Sequence, residues 1–297
     1  MLMEVPFNNL SVIPFYDNVS EQNARKWWVY GRVYPLFTPA DKLLPFQIIM
    51  EGNNASSVNI SHVDLYDKNG TLVYNLDGML PFLYKVQKSG FWVIVFQGTY
   101  TIPYYLEQGQ YYLRIRIGSA YKYSEVFTIV KDIQPYLKIQ WWDIEDFVMD
   151  AGIIIYDAQS TTAESVKFRN TLYLDADVAK PDYLFEDENE NRDGYAFPVK
   201  QISEKKYRFS YFASEYLLDV MRLIRMADYV EITYNGKLFK PDSFLITPEW
   251  VDEGDVATVQ AEFETATVAK KLGRGYSTVP ATGHSFDHSF DESFDIE

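Results

Sequence analysis

What most constrains this chain is a series of short apolar runs broken by turn chemistry, each run too short for an average helix. LLPFQIIM (43–50) gives way to the polar EGNNASS, then VDLYD (63–67), KNG (68–70) and TLVYNL (71–76). Asn69 and Gly70 accept the positive φ that tight turns between twisted strands require, so Lys68-Asn69-Gly70 predicts a hairpin. FWVIVF (91–96), YYLRIRIG (111–118) and YSEVFTIV (123–130) follow. Tyr112, Arg114 and Arg116 alternate with Leu113, Ile115 and Ile117, a period of two that buries one face and solvates the other.

Strands at this spacing, without intervening helices, predict a mainly β protein opening with an immunoglobulin-like β-sandwich. The expected organisation is an N-terminal arm over residues 1–24 and the sandwich over 25–132. A short joint at KDIQP (131–135) leads to a β-rich domain over 133–271, with strands at YLKIQWWD (136–143), GIIIYD (152–157), NTLYLD (170–175), KKYRFSYF (205–212), YVEITY (229–234) and VATVQAEFE (256–264). One packed helix is expected at about 214–227, because Leu217, Val220, Met221 and Ile224 recur at i, i+3, i+4 and i+7. Ser214 suits its N-cap and Arg222 and Arg225 its C-terminal end. Residues 272–297 carry Gly, Ser, Thr and Pro without periodicity and are expected to be an extended C-terminal arm.

Composition then removes function classes. Twenty-seven basic against 42 acidic residues leave a formal charge of −15, a field that repels phosphate backbones and argues against direct nucleic-acid binding. The chain has no cysteine, which excludes disulfides, thiolate metal sites and a cysteine nucleophile. No window approaches the ~18 apolar residues of a membrane span, so no membrane insertion is expected. MLMEVPFNNLSVIPFYDN lacks the basic and apolar regions of a signal peptide, so synthesis in the cytoplasm is expected.

Candidate chemistry is sparse. In FEDENENRDGYAF, Asp187, Asn189, Asn191 and Asp193 alternate ahead of Gly194. Hard oxygens at every second position suit a calcium loop, but the twelve-residue EF-hand pattern fails whether counted from Asp187 or from Asn189. A solvated acidic loop is the better reading, and no metal or cofactor is expected. Of the three histidines, His62 lies beside a turn and His284 and His288 lie near the C-terminus, none in a triad or zinc spacing. No GxSxG, GxxxxGK[ST] or GxGxxG occurs. Asp143 and Glu145 beside Trp141-Trp142 come nearest to a carboxylate glycosidase, but they lie too close together on one segment to flank a scissile bond. The same tryptophans could stack on sugars in a glycan-binding module, or fill a seam between domains.

The chain closes on HSFDHSFDESFDIE, three near-identical tetrapeptides. Phe286, Phe290 and Phe294 would form one stripe of a helix, or insert singly as anchors into a neighbour, with Asp287, Asp291 and Asp295 keeping the free arm in solution.

The long segment from YLDADVAKPDYLFEDENENRDGYAF to VATVQAEFETATVAKK resembles virion structural proteins of tailed bacteriophages that infect Bacteroidales, including crAss-like phages. GQYYLRIRIG…YSEVFTIV is similar to their immunoglobulin-like half, and the likeness covers most of residues 30–272. It implies a non-enzymatic homo-oligomeric ring, collar or spike component of the neck and tail, located in the virion. Its partners would be copies of itself and other neck, tail or portal-proximal proteins, held by contact alone.

Overall fold

The computed structural model describes residues 11–19, 36–51, 58–88, 91–103, 106–149, 152–159, 165–192, 195–250 and 256–272. It is mainly β, with several sheets and, among the described residues, one helix of 12 residues. The chain divides into two compact units, residues 1–182 with 206–266, and residues 183–205 with 267–297.

In the larger unit, a seven-stranded sheet is organised on the strand Gly109–Ile117. One edge of that strand pairs along its length with Ile60–Asp67. The other is shared by Ala120–Ser124, opposite residues 114–117, and Phe127–Val130, opposite residues 109–111. Where these two strands part, the Leu113 N–H donates to Ser124 Oγ at 2.8 Å, so a hydroxyl replaces the missing ladder bond. Phe37–Pro39 joins parallel to Phe127–Val130, and Phe15–Tyr16 joins antiparallel to Ala120–Ser124. Val12 and Ile13, which the sequence reading assigns to an N-terminal arm, are fully buried in the core.

The expected Lys68-Asn69-Gly70 turn is present. Gly70 has φ +87°, and Asp67 Oδ1 accepts N–H donors from Asn69 at 2.9 Å and Thr71 at 2.8 Å. These donors, Thr71 first, hold the Asp67 carboxyl below its ordinary value. A depressed carboxylate stabilises the fold above its unfolded pKa, and that contribution is lost as pH falls through the folded value. Asp67→Asn should therefore lower the melting temperature at pH 7, and the gap to wild type should close as the pH is taken well below the ordinary carboxylate range.

Phe91–Phe96 is the middle strand of a three-stranded sheet, between Phe46–Glu51 and Leu83–Lys88. Its unbroken apolar run is what a strand buried on both faces requires. Ile94 and Phe96 enter the main core. Val93 and Val95 turn the other way, joining Ile49, Val86, Ile155, Tyr156, Phe168 and Leu223 in a second cluster. Gln47, 2% exposed, ties that second face down: its Nε2 donates to the Ile155 carbonyl at 2.6 Å and its Oε1 accepts the Ile155 N–H at 3.1 Å.

Residues 131–136, where the joint is expected, are irregular. Beyond them Leu137–Trp142 lies in a four-stranded sheet between Asn170–Leu174 and Tyr229–Tyr234, with Lys237–Phe239 at one edge. Leu137, Ile139 and Trp141 enter the same apolar cluster as Val63 and Ile115, so one core runs across the joint.

The helix spans Glu215–Met221 and continues as a 3₁₀ turn over Arg222–Met226. Leu217, Val220, Met221 and Ile224 are all buried, as the 3.6-residue period predicts. Ser214 occupies the N-cap position in extended conformation but makes no side-chain cap bond, and its buried hydroxyl has no hydrogen-bond partner among the described residues.

Candidate docking surface

The acidic run, read from sequence as a solvated loop, is a β-strand. Asp182–Arg192 forms the outer strand of a four-stranded sheet, paired with Tyr195–Ser214, and Val256–Leu272 and Pro241–Trp250 follow in order. Asp and Asn are poor strand formers, and it is pairing with the neighbouring strand that sets this backbone. In the smaller unit every residue from 183 to 191 is exposed. Tyr183 is 60%, Leu184 37% and Phe185 72% exposed. Alternation places Tyr183, Phe185, Asp187, Asn189 and Asn191 on one face and Leu184, Glu186, Glu188 and Glu190 on the other. Lys205 Nζ lies 5.4 Å from the Tyr183 ring centroid. Both faces of this strand are exposed and it ends the strand order of its sheet, so Leu184 and Phe185 stand open to solvent beside Tyr183, the pattern expected of a contact surface.

Strand geometry also changes the reading of the candidate cation loop. Asp187, Asn189 and Asn191 share a face, but successive same-face positions lie about 7 Å apart, too far for three of them to close on one ion at 2.3–2.6 Å. Asp193 lies outside the described residues, among which no group of three or more His, Asp or Glu side chains could hold a metal.

The two tryptophans have separate roles because neighbours on a strand face opposite ways. Trp141 is fully buried. Trp142 is held on the other face, stacked on Tyr229 at 5.3 Å, with the Arg169 guanidinium 4.0 Å from its ring centroid. Both rings are thus engaged in packing. Asp143 and Asp228 form a reciprocal latch: Asp143 Oδ1 accepts the Asp228 N–H at 2.7 Å, and Asp228 Oδ2 accepts the Ile144 N–H at 2.9 Å. Burial pushes the Asp143 carboxyl up, the Asp228 N–H opposes it, and the Asp228 carboxylate adds to the rise. Glu145 is exposed.

His62 Nδ1 pairs with Asp77 Oδ2 at 3.1 Å. His284, His288, Phe286, Phe290 and Phe294 lie outside the described residues. A cleft of about 560 Å³ in the larger unit is lined by Lys206, Arg225, Phe244, Glu262 and Glu264 among others. Within it Lys206 pairs with Glu262 at 2.5 Å and with Glu264 at 3.6 Å. No helix among the described residues is long and apolar enough to cross a membrane.

The exposed aromatic strand escaped sequence reasoning because Tyr183, Leu184 and Phe185 are consecutive and the residues after them are all polar, so no apolar–polar alternation marks it. The chain matches no protein-family model, and no curated protein matches it either.

Proposed function

We propose that this chain is a non-enzymatic structural subunit of a tailed-bacteriophage virion, made in the host bacterial cytoplasm and assembling as a homo-oligomeric ring, collar or spike of the neck and tail. The observation that carries the contact role is the strand Asp182–Arg192, exposed on both faces with Tyr183 and Phe185 outermost. Its charge argues for a directional interface. Antiparallel pairing of this strand with itself, centred on Asp187, would set Asp187 against Asp187 and Glu186 against Glu188, and like charges directly opposite destabilise a sheet. A heterologous contact, in which each copy offers a different surface to the next, avoids that clash and builds a ring when its rotation closes. The resemblance to Bacteroidales phage virion proteins supplies the particle. The glycan-binding alternative is weakened because the Trp142 ring is already stacked on Tyr229 and met by the Arg169 guanidinium.

The test is peptide mass spectrometry on particles purified from phage-infected host culture through a density gradient. Co-migration of this chain with portal and capsid proteins at fixed stoichiometry is expected. Its confinement to the particle-free fraction, with retention on a polysaccharide column, would instead favour the glycan-binding module.

A further inference from the structure

The outer face of the seven-stranded sheet is a ladder of aromatic rings and cations. Register sets Tyr66 against Tyr112, Asp64 against Arg114 and His62 against Arg116, and continues Arg114 to Tyr123 and Arg116 to Tyr121. Tyr66 and Tyr112 stack at 5.4 Å, and the Arg114 guanidinium lies 4.6 Å from the Tyr66 ring and 4.8 Å from the Tyr121 ring. Leu72, opposite Tyr66, is 53% exposed at the margin. The other charges of this region have partners: Arg114 with Asp64 at 2.8 Å, His62 with Asp77 at 3.1 Å, and Lys122 with Asp17. Arg116 stands 5.8 Å from the Tyr121 ring and makes no ion pair among the described residues. The face therefore offers the half-buried rings of Tyr66, Tyr121 and Tyr123 and the half-buried Arg116, whose Nε has no hydrogen-bond partner among the described residues.

The C-terminal repeat has the matching chemistry. Residues 284–297 hold three Phe and five Asp or Glu side chains and neither Lys nor Arg. An extended strand would put Phe286, Phe290 and Phe294 on one face and Asp287, Asp291 and Asp295 on the opposite one, so a flat partner could meet rings or carboxylates but not both. A helix sets each Asp about 100° round from its Phe and keeps successive Phe about 6 Å apart, close to the ~7 Å between same-face residues of a strand. Only the helical form lays rings and carboxylates together on a sheet. The stretch from Leu272 to His284 can span roughly 40 Å when extended, enough to leave its own copy.

We propose that residues 284–295 of one copy dock as a short helix on the Tyr/Arg face of a neighbouring copy, with Phe rings against the exposed edges of Tyr66 and Tyr121 and an Asp carboxylate on Arg116. This rests on the homo-oligomeric reading and names its contact. The test places benzoylphenylalanine at position 290 of the full chain and mixes ¹⁴N- and ¹⁵N-labelled protein before irradiation. Mixed-isotope cross-links to residues 60–67 or 109–124 are expected. Links within one isotope only, links to the strand Asp182–Arg192, or no links would overturn the proposal. In parallel, a fluorescent peptide of residues 284–297 is titrated onto protein truncated after Gly283. Arg116→Glu should weaken its binding at least about tenfold and Arg116→Lys far less, as expected when a charge-assisted contact turns repulsive. Equal binding to all three proteins would contradict the assignment. If the truncated chain still forms the wild-type oligomer and the peptide does not bind, this docking fails while the structural-subunit reading stands.

Discussion

Trp141→Ala is expected to destabilise the fold by about 3–5 kcal/mol, the range for removing a large buried aromatic side chain. Trp141 is fully buried, set between Asn170 and Val230 across its sheet, in the core that runs across residues 131–136. Ladder pairing on both sides fixes the backbone of this strand, so it cannot shift to fill the void. Its Nε1 has no hydrogen-bond partner among the described residues, so Trp141→Phe removes ring volume and no hydrogen bond. That variant should cost only about 1 kcal/mol, the order expected for a small residual cavity. Urea unfolding followed by far-ultraviolet circular dichroism separates the two. Similar losses for both variants would mean that the indole nitrogen matters more than the volume it fills.

Replacing Tyr183 and Phe185 together by serine should do the opposite, sparing the fold and breaking assembly. At 60% and 72% exposed, these rings contribute little to the isolated chain, and surface substitutions usually stay within about 0.5 kcal/mol. In an interface each anchor would contribute about 1.5–3 kcal/mol, so the double change should weaken self-association roughly 100-fold or more. Sedimentation velocity across a dilution series, with a melting curve as control, measures both. An association constant equal to that of wild type would show that the strand is not a contact surface.

Much of the fold is legible in the sequence because its signals are local. The alternation in YYLRIRIG places Leu113, Ile115 and Ile117 inside, and Leu217, Val220, Met221 and Ile224 define the helix face. Tyr112 departs from the solvated face expected of it, at 5% exposed, because the Tyr66 ring from the neighbouring strand covers it. That cover depends on a register no local pattern encodes. The acidic strand is hidden for a related reason: its residues have low strand propensity, and only pairing with Tyr195–Ser214 makes it extended. Ser214 sits where a cap is expected, yet its buried hydroxyl makes no cap bond. Trp141 and Trp142 look equivalent side by side, but the parity of a strand divides them between the core and the opposite face.

On the proposed function this chain works by assembling with copies of itself, and the mass of the intact protein in solution reads that out. Mass photometry of the full-length chain, followed through dilution at physiological salt, should show one closed multimer at a fixed integer multiple of the single-chain mass. That species should be lost when Tyr183 and Phe185 are replaced. A single monomeric species at every concentration, unchanged by those substitutions, would contradict the account.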